Sequence, residues 1–219
     1  ALWLVANAKN GVSSCEISRA LGVSRKTAWH MGHRIRKAME AGSFRKMKGT
    51  VEADETFVGG KKDKRRHSSK ARGGARHMTP VFGLVERGGE VRAHKIPHVS
   101  GPILQRNVLE NVEESSTLYT DCHTGYLRLK ASYVHSSVSH STGEYARDDV
   151  HTNTIENFWC LFKRSVTGTW IRPSPKHLAR YVTDQAFRYN WRKTDDFGRF
   201  EALTGRVFGR RLTWKELVG

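Results

Sequence analysis

The chain has 219 residues, of which 37% are hydrophobic; this is enough for a core of ordinary size and excludes a collagen-like or wholly disordered protein. Its formal net charge of +17 makes nucleic acid the expected partner, because each neutralised phosphate releases condensed counterions. The longest apolar run, Ala1 to Ala6, is far shorter than the roughly 20 residues of a membrane span, and the three cysteines form no closely spaced pair. We therefore expect a soluble, cytoplasmic protein without a membrane partner.

The chain begins without an initiator methionine. Its first eight residues, ALWLVANA, have the apolar composition of the middle of a helix. We expect these residues to continue from a longer N-terminal portion.

Residues 12–41 predict two helices joined by a turn. Ser13 and Glu16 have the spacing of a capping box, Gly22 suits the turn, and Ser24 is a good N-cap for the second helix. Two short helices joined in this way form a helix-turn-helix, which we assign to residues 1–42 as a small all-α module.

The second of these helices is the candidate DNA-reading element. With that helix in a DNA groove, its first two turns would present four residues to base edges or phosphates: Arg25, Lys26, Thr27 and His30. The alternative is a plain helical hairpin whose basic side chains, Arg36 among them, are simply solvated.

Basic residues are densest between Lys61 and Arg76, where lysine and arginine make up half of the residues and only Asp63 opposes them. The glycines and the polarity of this stretch indicate a loop rather than a packed element. We expect the loop to become ordered on a phosphate backbone, using Lys61, Lys62, Lys64, Arg65 and Arg66. A merely solvated loop is the alternative.

The middle of the chain predicts a mixed sheet with helices packed on it. Strands are predicted at residues 51–58, 79–85, 91–96, 117–120 and 133–138, and helices at residues 103–112, 152–166 and 175–191. The order of three antiparallel strands, a helix, a strand and further helices is typical of an α/β, ribonuclease-H-like fold. We assign residues 43–49 to a basic linker, 50–193 to this domain and 194–219 to a C-terminal tail.

Three acids on separate elements are the candidate catalytic residues. Asp54 lies inside the first strand, where a charge is costly to bury, Asp121 ends a short apolar strand, and Glu156 lies in an apolar stretch of a helix. Converging carboxylates are suited to hard divalent cations. Lys163 is two helical turns after Glu156 and Asn153 lies one turn before it, so both fall on roughly the same helix face.

Four strings in the sequence carry a family resemblance: VEADETFVGG at 51–60, YTDCHTGY at 119–126, HTNTIENFWCLFKR at 151–164 and AFRYNWRK at 186–193. With them the chain resembles bacterial insertion-sequence transposases of the DDE class, in the branch with a zinc ribbon and a helix-turn-helix before the catalytic core. The resemblance extends to the tail string LTWKEL at 212–217. The zinc ribbon is missing from this sequence, in keeping with a truncated start.

The resemblance implies an enzyme that cleaves DNA at element ends and transfers the strand to a target. Asp54, Asp121 and Glu156 match the three acids that hold two Mg²⁺ or Mn²⁺ ions, and Lys163 matches the basic residue after the third acid. Asn153 stays a candidate, because some members of this branch use Asn in the third role. Lys163 and Arg164 would steady nearby phosphates.

The implied setting is double-stranded DNA, both transposon ends and target, bound by a homodimer or a larger oligomer near the bacterial nucleoid. Two alternatives stay open: a DNA-binding regulator, such as a domesticated transposase, that does not cleave, and a metal-dependent nuclease that cuts without joining. A histidine-based metallohydrolase is disfavoured, because the 11 histidines include no HExxH spacing. His123 and His151 are expected to support neighbouring groups or to face DNA.

Overall fold

The computed structural model describes residues 1–40, 45–59, 78–139 and 146–219. The chain divides into two compact units, a helical unit of Ala1–Ser43 with Cys160–Gly219 and a sheet unit of Phe44–Trp159. The domain boundaries that we predicted, at residues 42, 49 and 193, stay a prediction. None of the helices formed by the described residues combines the length and the apolarity needed to cross a bilayer.

The sheet unit is built on five strands. They are β1 (Thr50–Val58), β2 (Thr79–Glu86), β3 (Val91–Lys95), β4 (Thr117–Asp121) and β5 (Val134–Val138). Their order in the sheet is β3-β2-β1-β4-β5; β1, β2 and β3 are antiparallel neighbours, whereas β4 runs parallel to β1 and to β5. This mixed sheet flanked by helices confirms the predicted α/β, ribonuclease-H-like fold.

The remaining elements of the sheet unit connect and cover these strands. They are helix α4 (Gly101–Asn111), a 3-10 helix (Thr124–Ala131), a two-stranded ribbon of β6 (Ala146–Arg147) and β7 (Val150–His151), and the first turns of helix α5 (Asn153–Gly168). One hydrophobic core joins Val51 and Ala53 of β1 to Leu104 of α4 and Tyr126 of the 3-10 helix. The 3-10 helix was not predicted, because such short turns have no sustained hydrophobic period.

The helical unit contains the predicted helix pair. Its helices are α1 (Leu2–Asn7), α2 (Ser14–Leu21), α3 (Arg25–Met39), the later turns of α5, α6 (Leu178–Asn190), α7 (Asp196–Thr204) and α8 (Trp214–Val218). Ser13 and Glu16 form the predicted capping box, and the Ser24 side chain accepts from the Thr27 N–H. Gly22 ends α2 at φ 66°, in the left-handed region that favours glycine.

The basic side chains of α3 are not all solvated, as the alternative of a plain helical hairpin would have them. Arg36 is buried, and its Nε donates to Asp184 Oδ2 at 2.9 Å. Arg188 Nε donates to the other oxygen of the same carboxylate at 2.8 Å. The partner carboxylate is supplied by α6, far away in the sequence, so the local pattern around Arg36 could not reveal it.

Candidate active site

Strand register brings two of the predicted acids together. Ala53 of β1 is paired with Thr120 of the parallel strand β4, so the next residues, Asp54 and Asp121, lie side by side. Neighbouring residues in register on parallel strands point to the same face of the sheet. The sheet thus places Asp54 and Asp121 next to each other where β4 ends.

A third acid in this place was missed by the sequence analysis. Oxygen atoms of Asp54, Glu55 and Asp121 all lie within 4.8 Å of one another. Successive side chains of a strand point to opposite faces, and this rule argues against grouping Glu55 with Asp54. The only signal for this grouping in the sequence was that Glu55 directly follows Asp54. The contact itself depends on how far the two side chains extend.

The charges in this cluster are held in a poorly solvated place. Burial first, then the charges of Asp121 and Glu156, raises the pKa of Asp54 from 3.8 to about 6. Burial, followed by the charges of Asp121 and Asp54, raises the pKa of Glu55 from 4.5 to about 8. Both shifts arise first from burial and then from the mutual repulsion of converging carboxylates.

Glu156, the third predicted acid, lies in the first turn of α5 and is half-buried. It stands outside the group of Asp54, Glu55 and Asp121 that the described residues form, but its charge contributes to the raised pKa of Asp54. The structure therefore brings Glu156 near the predicted site without placing it among the closest oxygens.

Each predicted metal ligand accepts a hydrogen bond from a neutral donor. Trp159 Nε1 donates to Asp54 Oδ2 at 3.0 Å, and the backbone N–H of His123 donates to Asp121 Oδ1 at 3.0 Å. Thr152 Oγ1 donates to Glu156 Oε1 at 2.8 Å. Such hydrogen bonds orient a carboxylate without neutralising its charge, as the hydrogen-bond partners of metal ligands do.

A glycine allows α5 to approach the sheet beside Asp54. Gly83 of β2 is paired with Asp54, and a Cβ atom at this position would come within 2.5 Å of the Trp159 ring and 3.0 Å of Ile155. A larger residue would displace the indole, whose N–H holds Asp54. The close packing of β2 against α5 is therefore part of the construction of the site.

The donor set fits a divalent cation. Carboxylate oxygens are the ligands that Mg²⁺ and Mn²⁺ prefer, and Glu55 Oε1 is buried without a hydrogen-bond partner among the described residues. A cation would also relieve the repulsion that raises the pKa values of Asp54 and Glu55. The residues present thus suit the metal that the resemblance implies.

The other predicted residues of α5 are exposed. Asn153 is the first residue of the helix, and Lys163 and Arg164 lie two turns after Glu156. Their exposure is compatible with contact to a bound polyanion, and their roles stay predictions.

The predicted DNA-reading residues lie at the start of α3, in the helical unit. Arg25 is exposed, and Thr27 Oγ1 is hydrogen-bonded to the Ser24 hydroxyl at 2.9 Å. The C-terminal segment contacts the other two, since Lys26 Nζ lies 4.6 Å from the Trp214 ring centre and His30 Nε2 is 3.2 Å from the Leu212 carbonyl oxygen. The basic arm, which is the predicted loop between Lys61 and Arg76, lies outside the described residues. Its candidate DNA-binding residues are Lys61, Lys62, Lys64, Arg65 and Arg66.

Known proteins are similar to this chain in sequence. Residues 46–190 match the model of the ISXO2-like transposase domain. An uncharacterized protein in the transposable element ISH50 of Halobacterium salinarum is 31% identical in an alignment of 172 residues that covers 72% of this chain. The chain spans 56% of the length of that relative.

Solved structures give weaker likenesses, each at a TM-score of 0.39 and 12% identity. One is the intasome of simian T-cell lymphotropic virus in complex with PP2A regulatory subunit B56 gamma, where 85% of this chain and 66% of the other are covered. Another is the Mos1 strand transfer complex, with 97% and 78% covered. The family match over most of the sheet unit and into α6 is decisive: the chain belongs to the ISXO2-like transposases, DDE-class proteins of insertion sequences.

Proposed function

We propose that this chain catalyses metal-dependent cleavage at transposon ends and transfer of the cut strand into target DNA. The observation that carries the proposal is the convergence of partly buried, like-charged carboxylates around Asp54 and Asp121 in a transposase domain. A bound cation stabilises acids crowded in this way, and a pair of divalent cations can assist the displacement at a phosphodiester.

Asp54, Asp121 and Glu156 would hold two Mg²⁺ or Mn²⁺ ions. When bound, such a pair activates a water or a 3′-hydroxyl and stabilises the leaving oxygen of an in-line displacement. The chain's own contribution is orientation, since Trp159, His123 and Thr152 each donate one hydrogen bond to one of these carboxylates. Asn153 is the second candidate for the third position, because it begins the same helix.

Lys163 and Arg164 would bind the phosphates of the DNA at the site. This part of the proposal is supported by the spacing along α5 and by the exposure of both side chains. An ammonium group acts as a point charge that stabilises a phosphoryl oxygen without being a metal ligand.

DNA binding would use the start of α3 and the basic arm. The net charge of +17 supports a polyanionic partner. If six to ten phosphates are contacted, affinity falls roughly 10³- to 10⁵-fold between 50 and 200 mM salt. Neutralising Lys61, Lys62, Lys64, Arg65 and Arg66 together should flatten this dependence in a fluorescence anisotropy titration; an unchanged slope would show that the arm does not contact DNA.

The natural substrate would be double-stranded DNA carrying paired element ends. We propose that the protein forms a homodimer or larger oligomer on that DNA, because two ends have to be processed together. We also propose that it is associated with the bacterial nucleoid. Sedimentation of the protein with and without end DNA measures this assembly.

The decisive experiment incubates the chain with duplexes that carry its element's terminal sequences, with Mg²⁺, Mn²⁺ or EDTA. Denaturing gels and sequencing of the products should show cuts at the ends and strands joined to target, both abolished by EDTA. Binding without cutting would instead identify a regulator, and cutting without joined products would identify a nuclease.

A further inference from the structure

A buried acid outside the proposed metal site connects β1 to the helix that carries Glu156. Glu52 is 0% exposed and lies two residues before Asp54 in β1. Since side chains two residues apart share a face of a strand, Glu52 and Asp54 both point to the face that receives α5. The proposed metal chemistry gives Glu52 no role.

The carboxylate of Glu52 caps α5. Its Oε2 accepts from the backbone N–H of Thr154 at 2.8 Å and of Ile155 at 3.0 Å, and its Oε1 accepts from Thr154 Oγ1 at 2.8 Å. The first backbone N–H groups of a helix have no partner within the helix, and a negative charge there is favourable. A cap of this kind normally comes from the residue just before the helix, whereas this one comes from 102 residues away in the sequence.

A basic side chain holds the other side of Glu52. Arg87, which directly follows β2, donates from Nε to Glu52 Oε1 at 2.7 Å. Its other nitrogens donate to Asp149 Oδ1 at 2.9 Å and to the carbonyl oxygens of Asp149 and His151, at 3.0 and 3.1 Å. The guanidinium also lies 4.8 Å from the ring centre of Tyr119 in β4. Glu52 and Arg87 together fix the segment that leads into α5.

The sheet therefore holds α5 at two points. Glu52 binds the first turn at Thr154 and Ile155, and Asp54 binds Trp159. Glu156 lies between these two points on the helix. The distance of Glu156 from Asp54 and Asp121 therefore depends on the contact of Glu52 with the helix end.

We propose that Glu52 is a positioning residue that places Glu156 for metal binding through the first turn of α5, without itself being a ligand. This inference rests on the proposed function, because it assumes that Glu156 holds a cation. A carboxylate that serves only the stability of the fold would share the same contacts, so the test has to separate the two roles.

The test measures Mn²⁺ affinity of the full chain by electron paramagnetic resonance, without DNA, at a temperature where circular dichroism shows every variant folded. Glu52→Gln keeps the size of the side chain and removes its charge, and it should weaken Mn²⁺ binding about 10- to 100-fold, as loss of an outer partner of a ligand does. Glu90→Gln is the matched control, because Glu90 also pairs with an arginine of this unit; it should leave the affinity unchanged.

A double variant shows through which residue Glu52 acts. In a Glu156→Gln background, Glu52→Gln should cause little further loss of Mn²⁺ affinity, because the residue that it positions is already gone. Equal losses in both backgrounds would overturn the proposal, as would unchanged affinity of folded Glu52→Gln.

Two further measurements keep the outcome clear. Should Glu52→Gln fail to fold, Thr154→Val removes one donor to Glu52 and should still weaken Mn²⁺ binding several-fold; unchanged affinity would overturn the proposal. A wild-type chain that binds no Mn²⁺ overturns the proposed function and this inference together. If Mn²⁺ binds the wild-type chain and Asp54→Asn weakens this binding but Glu52→Gln does not, the inference alone is overturned.

Discussion

Two clusters of charged side chains in this chain have opposite chemistry, one fully buried and one partly buried. In the helical unit, Asp184 is 0% exposed and is bound by two guanidinium groups, those of Arg36 and Arg188. In the sheet unit, Asp54, Glu55 and Asp121 face one another, and the donors described for Asp54 and Asp121 are neutral. An acid with its cation built into the chain is structural, whereas acids that share a site without one are suited to a cation from solution.

The pKa values express the same contrast. Burial raises the pKa of Asp54 to about 6 and that of Glu55 to about 8. The partly buried acid cluster and the fully buried ion pair thus differ in which side chain lies next to the carboxylate. Each cluster can be broken separately, and the consequences should differ in kind.

The largest effect is expected in the acid cluster. Asp54→Ala, Asp121→Ala or Glu156→Ala should reduce cleavage at least about 10³-fold, because the electrostatic contribution of the cations is lost, while DNA affinity stays equal or rises slightly. Single-turnover cleavage and anisotropy titrations measure both quantities. The exposed Glu113→Ala controls for the charge change, and near-wild-type cleavage by any one variant removes that residue from the site.

Breaking the other cluster should instead lower the stability of the fold. Asp184→Asn leaves two buried guanidinium groups without their carboxylate and should lower the free energy of unfolding by about 3 kcal/mol. Asp196→Asn is the control, because the exposed pair of Asp196 with Arg199 is worth no more than about 1 kcal/mol. Urea denaturation compares the two, and equal losses would mean that burial of the Asp184 pair is unimportant.

The role proposed for Lys163 of α5 also predicts a loss of activity. Lys163→Ala should slow cleavage about 10²-fold, as loss of one donor to the transition state does, with Mn²⁺ affinity unchanged. Lys163→Arg should keep part of the activity, because the charge remains while its geometry shifts. Metal-titrated kinetics of both variants, with the exposed Lys9→Ala as control, test this. A loss confined to metal affinity would show that Lys163 acts on the cation rather than on phosphate.

The smallest expected effect is on the pH dependence of stability, and it comes from His33, a buried base of the helical unit. Burial first, then the charge of Arg36, lowers the pKa of His33 from 6.5 to about 3, and the ring packs against Trp29, His177 and Tyr181. The folded state then binds fewer protons than the unfolded state between these values, so this contribution to stability is complete above pH 6.5 and falls as the pH is lowered. The slope is at most about 1.4 kcal/mol per pH unit.

His33→Phe keeps an aromatic ring and removes the titrating nitrogen. The variant should lose less stability than the wild type between pH 7 and 5, as followed by urea denaturation at each pH. His98→Gln, at an exposed histidine, should keep the wild-type slope. An unchanged slope in His33→Phe would show that another group is responsible.

Elements with strong local signals could be predicted from the sequence. The capping box at Ser13 and Glu16, the turn at Gly22 and the strand that carries Asp54 lie where their patterns place them. These features depend on neighbours a few residues away. The short elements with weak periods could not be predicted, such as the 3-10 helix at Thr124–Ala131 and the ribbon of β6 and β7.

The sequence by itself determined the mixed sheet, the family and the choice of Asp54, Asp121 and Glu156, because hydrophobic periods and short motifs are local properties. Only the tertiary structure decided that Glu55 joins Asp54, that Arg36 is buried on Asp184 and that Glu52 caps a helix 102 residues away. These contacts depend on strand register and on which elements pack together. Packing therefore decides whether a charged side chain lies next to an opposite charge, a like charge or a helix end, since these neighbours can be distant along the chain.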